Sequence, residues 1–536
     1  MCLAGCGNVE RPQSGLVRFE IESNPTNLDP RYATDGQSQR IVGLIFSGLV
    51  ERDEEMNVHG DLAESWETPN PLAYVFHLRR GVKFHDGQEL TSKDVKATFE
   101  WMMNPANKSP KRGAFRLLTS VEAPDAYTVV FRLKEPYASF VWNVARPAIG
   151  IVPADAGADF ARRPIGTGAF RFVRQVQDDE VVLERNEDYF REEECGLRPS
   201  TLGVESKKSN TEGAEKEREE DKKTQEPPLQ TKGGAPPCGP KVARVTFRIV
   251  PDAIVRALEL RKGSADIEVS SLSPDMIPVL ERQKDLEVTQ RPGTNLAYLG
   301  INFEDPVLAK RGVRQALAYA TDREALIRYL LRGEAQLAMG ILPPNHWAYD
   351  GNVKKYGYDP GQADKLLDAA GYPKKTDGTR FHLMLKVSTQ EQARLLGAAL
   401  QDQWRNVGIA LEVRPLEPAT LFSDLAKGNF QLSYSIWIGA NNDPDFFEYA
   451  FSTRRFPPDG ANRGHYRNAR MDLLTDEIRT EMNREKRKEL CDEAQGIFAE
   501  DLPYVPLWFT DVVSVHRKWM GEIELTPTGD YEFLGR

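Results

Sequence analysis

Residues 74–87 read YVFHLRRGVKFHDG, and this stretch decides the local fold. Apolar side chains occupy every second position in Tyr74–Leu78, which is the period of a strand with one buried face. Asp86-Gly87 is typical of a tight turn after such a strand. Thr91 and Asp94 have the spacing of a capping box, which predicts that a helix follows the turn.

Outward from this stretch, the chain alternates between strand and helix patterns. The clearest run predicts strand 381–387, helix 390–406, strand 409–414, helix 419–427 and strand 430–437. Further strands are predicted at 16–21, 127–133, 170–174, 181–185, 242–249, 266–269 and 504–509, and further helices at 37–50, 252–262, 469–482 and 484–499. Alternating strands and helices predict sheets with helices packed on their faces, which is an α/β fold.

Composition excludes several classes of protein. The chain has 536 residues, 70 Lys and Arg against 80 Asp and Glu, and a net charge of −10, which argues against a nucleic-acid binder. Apolar runs such as 41–46 are far shorter than the ~20 residues that span a bilayer. Five cysteines are too few for a disulfide-rich scaffold.

The motifs of common enzymes are absent from the sequence. It contains no G-x-S-x-G elbow, no G-x-x-x-x-G-K loop and no H-E-x-x-H pair. Gly166-Thr167-Gly168 lacks the third glycine of a dinucleotide fingerprint and is interpreted as a loop that leads into a strand. We therefore expect no catalytic residues, no metal site and no cofactor.

One segment differs from the rest in composition. Residues 196–237 contain no aromatic residue and are dense in Glu, Lys, Ser, Gly and Pro. Such a stretch cannot bury enough apolar surface to offset its ordering entropy, so it is predicted to be a disordered insertion. Cys195 and Cys238 flank it. They either pair, which would stabilise the fold by roughly 4 kcal/mol in the chain-entropy model, or remain two free thiols.

The motif around residues 74–87 also carries a family resemblance. Together with DLAESW at 61–66, it resembles the signature of the dipeptide, oligopeptide and nickel-type solute-binding proteins of bacterial ABC importers. Further segments similar to that family are NLDP at 27–30, PIGTGAF at 164–170, NEDYF at 186–190, RGVRQAL at 311–317 and DLPYVPL at 501–507. The resemblance covers essentially the whole chain except the insertion.

The resemblance implies a two-lobed periplasmic-binding-protein-like fold of class II, with an extra α/β subdomain on lobe one. It implies that the lobes close around a ligand at a hinge. The implied division is a tether at 1–14, an extra subdomain at 51–164, lobe two at 295–500, and lobe one from 15–50, 165–294 and 501–536.

The resemblance also implies where the ligand binds. The stretch 428–445 is similar to the family's main ligand-contact segment, and the expected contacts are Trp437, Gly439, Ala440, Asn441, Asn442 and Asp443, with Tyr32, Asn295, Tyr298 and Trp508 near the cleft. Peptide-binding relatives place an aspartate three residues after the tryptophan, where it pairs with the peptide ammonium. Here that position is Ala440, and a buried ammonium without a partner would cost several kcal/mol.

Several of these residues also have purely structural interpretations. Asp443 is the nearest acid that could replace the missing aspartate, but Asp443-Pro444 also predicts an N-cap followed by proline at N1 of helix 444–451. Trp437 forms an apolar wall of the cleft or anchors the end of its strand. Core or surface packing is the alternative for Tyr32, Asn295, Tyr298 and Trp508.

The first residues bear on location. Leu3-Ala4-Gly5-Cys6 resembles a bacterial lipobox, in which the cysteine is lipidated, although a chance match of four small residues is the alternative. The charged and apolar regions of a signal peptide do not precede Cys6, so we expect a misassigned start or a trimmed N-terminus. We expect a monomer in the periplasm or at the cell surface, held at the membrane only by a lipid anchor.

The expected function is capture of a peptide-like or other small polar solute and its delivery to a membrane ABC permease. A ligand sensor or chaperone-like descendant is the alternative, favoured by the insertion as a possible interaction arm. An enzyme on the same scaffold is the third hypothesis, for which the sequence offers no acid, base or nucleophile cluster.

Overall fold

The computed structural model describes residues 15–53, 57–145, 149–157, 159–191, 242–439 and 443–535. Several predicted features lie outside the described residues: Cys6 with the tether 1–14, the insertion 196–237 with Cys195 and Cys238, and the loop residues Ala440, Asn441 and Asn442.

The described residues form a mixed α/β structure, as predicted. In chain order the strands are β1 (Leu16–Ile21), β2 (Val50–Arg52), β3 (Val58–Gly60), β4 (Ala63–Asn70), β5 (Ala73–Leu78), β6 (Leu118–Asp125), β7 (Thr128–Leu133), β8 (Phe170–Val176), β9 (Glu180–Arg185), β10 (Arg244–Ile249), β11 (Ile267–Val269), β12 (Leu286–Ile301), β13 (Ala335–Leu337), β14 (Phe381–Ser388), β15 (Ile409–Leu416), β16 (Leu432–Trp437) and β17 (Tyr504–Arg517).

The helices flank these strands. They are α1 (Gly36–Ile45), α2 (Ser92–Met103), α3 (Phe140–Val144), α4 (Ala253–Lys262), α5 (Ile277–Glu281), α6 (Arg311–Tyr319), α7 (Arg323–Leu330), α8 (Pro360–Ala369), α9 (Glu391–Arg405), α10 (Pro418–Ala426), α11 (Phe446–Phe451), α12 (Ala469–Thr480) and α13 (Arg484–Asp501). Short 3-10 turns occur at Pro105–Asn107, Pro110–Phe115, Phe160–Arg162, Thr453–Arg455, Lys518–Met520 and Glu532–Leu534.

Within the described residues, eleven strands form one large sheet in the order β15-β14-β16-β12-β17-β11-β1-β10-β9-β8, with β13 paired to β17. Strands β1 and β8–β11 form one half and share a core of their own. Strands β14–β16 belong to the other half, and their buried apolar side chains pack in a different cluster from that core.

Two long antiparallel strands run through both halves. The first part of β12, Leu286–Arg291, pairs with the end of β17. The last part of β12 pairs on one side with the start of β17 and on the other side with β16. The register of β12 against β17 shifts between Arg291 and Asn295. The chain therefore crosses between the two halves twice, once in each strand. The register shift interrupts the hydrogen bonds between β12 and β17 at this crossing. A bend of the sheet breaks the fewest hydrogen bonds there.

Residues 74–78 lie in β5, which belongs to a separate four-stranded sheet of order β4-β5-β7-β6 with its own apolar core. The predicted strand, turn and helix are all confirmed as β5, a turn at Asp86-Gly87 and α2. The capping box is confirmed too, because the Thr91 N–H donates to Asp94 Oδ2 at 2.8 Å.

His85 joins this sheet to the glycine loop that precedes β8. The His85 N–H donates to Gly166 O (2.9 Å), the Gly166 N–H donates to His85 Nδ1 (3.2 Å), and His85 Nε2 lies 3.1 Å from Gly168 O. Burial lowers the pKa of His85 to about 4, so the imidazole is neutral. The predicted loop before β8 is confirmed. Its hydrogen bonds to His85 connect the segment after β5 to the start of β8.

The same glycines end α1 earlier than the predicted residue 50. The Gly168 N–H donates to Ile45 O at 2.9 Å, and a Cβ on Gly166 would lie 1.9 Å from that oxygen. Because Gly168 satisfies this carbonyl from outside the helix, Phe46 turns to an extended conformation and the chain continues into β2.

Strand β17 extends eight residues beyond the predicted end at residue 509, to Arg517. The extension carries polar Asp511, Ser514 and His516, so it lacks the apolar pattern that would have predicted it. These side chains are nevertheless buried, because β17 lies inside the sheet between β12 and β11.

Candidate ligand-binding cleft

The candidate site lies where the parallel strands of one half-sheet end. Strands β14, β15 and β16 are mutually parallel, so their carboxyl ends share one edge. The last residue of β16, Trp437, pairs with Leu296, which directly follows the register shift of β12. Open α/β sheets bind ligands at such an edge, and here the edge faces the crossing between the halves.

A cluster of aromatic rings surrounds Trp437 at this edge, and it is called the aromatic floor of the cleft below. The rings of Tyr298 and Trp437 are nearly parallel with centroids 5.9 Å apart, and Tyr298 stacks on Tyr504 at 4.2 Å. Phe446 of α11 also contacts Trp437, edge-on with ring centroids 4.9 Å apart. Trp437 therefore both anchors its strand and presents a ring at the edge, so the two interpretations of this residue are compatible.

The loop that leaves β16 is fixed to the crossing strand. The Gly439 N–H donates to the Asn295 side-chain oxygen at 3.2 Å. Gly439 has φ +58°, a left-handed conformation that glycine adopts without steric cost. Ile438 between Trp437 and Gly439 is 74% exposed, which leaves an apolar side chain facing open space. The structure thus brings together Trp437, Gly439, Asn295 and Tyr298.

Asp443 is placed differently from the prediction. Helix α11 begins at Phe446 with Asp445 as its N-cap residue, so the N-cap interpretation of Asp443 was wrong. Asp443 Oδ1 instead accepts hydrogen bonds from the Asp445 N–H (2.8 Å), Arg487 Nη2 (2.8 Å) and Ser139 Oγ (2.6 Å). Burial acts to raise the pKa of Asp443, but Arg487 and these hydrogen bonds hold it below its usual value.

This arrangement decides what Asp443 can do. Its carboxylate is already paired with a guanidinium and with a hydroxyl from the segment that carries the four-stranded sheet. Removing Arg487 would leave a buried charge unpaired, which is costly. Asp443 is therefore a poor candidate for the ammonium partner that Ala440 no longer supplies.

Trp508 and Tyr32 are not part of the cluster around Trp437. Trp508 pairs with Ala297 and is 1% exposed, and its position in the register puts it on the opposite face of the sheet from Trp437, in the core. The Tyr32 hydroxyl donates to Asn107 O at 2.8 Å and accepts from Trp101 Nε1 at 3.1 Å. The packing alternative is thus the better description of Trp508.

Sequence reasoning missed four residues near this edge. Tyr137 and Ser139 come from the segment of the four-stranded sheet, while Arg463 and Arg487 lie in and before the last two helices. They belong to no motif quoted from the sequence. Only the tertiary contacts bring them to the loop after β16.

Comparison with known proteins identifies the family. The model of bacterial extracellular solute-binding proteins, family 5 Middle, matches residues 57–456. The chain belongs to this family. Its function is accordingly that of an extracytoplasmic solute-binding protein of an ABC importer, and its fold is the two-lobed fold of that family with the extra subdomain, as the resemblance implied.

The relatives extend over nearly the full chain. The protein is 28% identical over 546 residues to di/tripeptide-binding protein 1 of Pseudomonas aeruginosa, covering 96% of this chain and 93% of that protein. It is 27% identical over 529 residues to the glutathione-binding protein GsiB of Salmonella choleraesuis, with the same coverage. The oligopeptide-binding protein AppA of Bacillus subtilis, solved with a nonapeptide, is 25% identical with a TM-score of 0.73 and covers 98% of this chain and 99% of its own.

Neither a membrane-spanning helix nor a metal-binding cluster occurs among the described residues. In that part of the chain no helix combines the length and apolar character needed to cross a bilayer. Across the same residues no group of three or more His, Cys, Asp and Glu side chains is arranged to hold a metal ion. The family and the relatives named above are binding proteins.

Proposed function

We propose that this protein binds a peptide-like solute between its two half-sheets, against the edge formed by Trp437, Gly439 and Asn295. The observation that carries the proposal is the position of this edge. Parallel strands end there, directly beside the point where β12 changes register between the halves. A solute held there contacts both sides of a bendable crossing, so binding favours the closed arrangement.

The division into lobes follows from the same crossing. We propose lobe one from residues 15–50 and 165–291 with the end of β17, and lobe two from residue 295 to about residue 510. Residues 504–510 pair with the lobe-two part of β12, which supports moving the return to lobe one from 501 to about 511. The segment 51–164 remains the extra subdomain, supported by its separate apolar core.

The solute class is supported by the relatives and by the loop. The relatives bind dipeptides, tripeptides and glutathione, as their names state. Asn441 and Asn442 are proposed to hydrogen-bond a polar ligand because an amide both donates and accepts. We further propose that the solute is released to the permease chemically unchanged, which a turnover assay of bound peptide would check.

Scattering and calorimetry test this proposal together. The protein is titrated with trialanine and with glutathione, and small-angle scattering is recorded with and without each. We expect binding of at least one probe, with a smaller radius of gyration for the bound form. Binding without any change in the scattering profile would contradict hinge closure.

Ala440 offers a more local test. If the peptide ammonium binds beside residue 440, as in peptide-binding relatives, Ala440→Asp should tighten binding of free-amine peptides because an acid then pairs with the ammonium. An unchanged or weakened binding of trialanine would show that the ammonium does not lie beside residue 440.

We propose a monomer anchored through a lipid on Cys6, supported by the match of residues 3–6 to a lipobox. Membrane fractionation of Cys6→Ser in cells expressing the full gene checks the anchor. Loss of the protein from the membrane fraction is expected, and an unchanged distribution would contradict it.

A further inference from the structure

Arg463 is held beside the ring of Trp437. It lies between α11 and α12, and its guanidinium carbon is 5.3 Å from the centroid of Trp437 and 5.8 Å from that of Phe422. Trp437 ends β16, and Phe422 lies in α10, which follows β15. The guanidinium therefore bridges the ends of two strands at the edge described above, where cation–π attraction restricts its position.

The positive charge of Arg463 is not balanced by a nearby acid. Among the described residues, no Asp or Glu lies within salt-bridge distance of it, and two acids of neighbouring segments are paired elsewhere. Asp424 binds Lys386 at 2.7 Å, and Asp443 binds Arg487 at 2.8 Å. An arginine that is half-buried and lacks a carboxylate partner has unused capacity to pair with an anion.

The charge also acts on the aromatic floor. Burial raises the pKa of the Tyr298 and Tyr504 hydroxyls, and the positive charge of Arg463 opposes this rise at both residues. The loop at 438–442 has the sequence Ile-Gly-Ala-Asn-Asn, which carries no charge. Arg463 therefore places a positive charge directly against the Trp437 ring.

We propose that Arg463 binds an anionic group of the solute, so that the Trp437 end of the cleft accepts a carboxylate rather than an ammonium group. The planar guanidinium offers two parallel N–H donors to a carboxylate, and Trp437 shields one face of the pair from water. The inference rests on the proposed function, because it specifies the charge of the solute that occupies the same cleft.

Blocked peptides separate the two ends of the solute. Calorimetry on the full chain uses trialanine, N-acetyl-trialanine and trialanine amide, with glutathione as a further acidic probe. We expect the acetylated peptide to bind about as tightly as trialanine, and the amide to bind at least about tenfold more weakly because it lacks the anion.

Variants of Arg463 assign the effect to this residue. Arg463→Gln should weaken trialanine binding by about tenfold or more and leave the weak binding of the amide unchanged, while Arg463→Lys, which keeps the charge but not the fork, should fall between. The matched control is Arg467→Gln, an exposed arginine of the same segment that stacks on Phe456 instead. If the Lys and Gln variants unfold at the same temperature as the unmodified protein, misfolding is excluded as the cause of weaker binding.

The outcomes distinguish this inference from the proposed function. If the amide binds as tightly as trialanine, or if Arg463→Gln binds trialanine like the unmodified protein, the role of Arg463 is overturned while the cleft stands. If the unmodified protein binds none of the four probes, the proposed peptide-like function fails, and the inference fails with it.

Discussion

Glu20 has a carboxyl group that is buried in an environment where its ionised form is unfavourable. It lies on β1 directly beside Glu268 of β11, and both side chains are 1% exposed. Within the described residues neither oxygen of Glu20 has a hydrogen-bond partner. Burial raises the pKa of Glu20 to about 8, with Glu259 adding to the rise and Arg248 opposing it.

This carboxyl group should make the protein less stable as pH rises. Between the ordinary value of 4.5 and about 8, the unfolded chain ionises at Glu20 while the folded chain keeps the proton. The unfolded state then binds fewer protons, so the free energy of unfolding falls with pH, by at most about 1.4 kcal/mol per pH unit for one group. Glu20→Gln should flatten this slope and stabilise the protein at pH 8, as measured by urea unfolding across the range.

The matched control for that experiment is Glu184→Gln, an exposed glutamate of β9. It should leave the slope unchanged. Parallel stability curves for the unmodified protein and Glu20→Gln would show that Glu20 is already ionised in the folded state.

At the scale of single elements, the proposed closure depends on the crossing of β12 against β17. Gly293 lies inside its register shift, and a Cβ at that position would be 2.2 Å from Thr510 O. The two strands are therefore closer than any other residue type permits. Close approach at an irregularity lets the crossing bend without separating the strands.

Gly293→Ala should destabilise the protein and disturb closure together. Relieving the contact forces the strands apart, which typically costs about 1–3 kcal/mol in a packed site. Urea unfolding measures the loss, and trialanine binding by calorimetry reports closure. Gly340→Ala is the control, because a Cβ there meets nothing within 4 Å; equal effects of the two variants would contradict a special role for the crossing.

On the scale of the whole molecule, the segment 137–139, which follows the four-stranded sheet, directly contacts residues beside α11 and in α12. The Tyr137 hydroxyl donates to Asp445 Oδ2 at 2.6 Å, and the Ser139 hydroxyl donates to Asp443 Oδ1 at the same distance. The Ala138 N–H donates to Arg479 O at 2.9 Å. This contact therefore holds Asp443 and Asp445 in place only while segment 137–139 is packed against them.

Breaking this contact should favour the open arrangement. Tyr137→Phe with Ser139→Ala removes two hydrogen bonds to carboxylates while Asp443 keeps Arg487, and bonds to charged groups contribute about 1.5–3 kcal/mol each. We expect a larger radius of gyration by scattering and trialanine binding weakened by about tenfold or more. Thr119→Ala, an exposed hydroxyl of the same subdomain, is the control. Unchanged affinity in the double variant would show that the contact does not contribute to closure.

Local patterns predicted most of the elements. The strand of Tyr74–Leu78, its turn and the capping box of α2 depend on neighbours a few residues away, so the sequence was sufficient for them. The predictions failed where a distant part of the chain decides the outcome. Helix α1 ends because Gly168 takes its last carbonyl, and β17 continues because strands on both sides pair with it.

The sequence by itself determined the family, the α/β class and the segment that carries the candidate site, because motifs and hydrophobic periods are properties of contiguous residues. Only the tertiary structure decided the chemistry at that segment. It paired Asp443 with Arg487 and Ser139, put Trp508 in the core and set Arg463 over Trp437. The charge presented to a solute depends on contacts between side chains that are far apart in the sequence. Local sequence patterns do not predict such contacts.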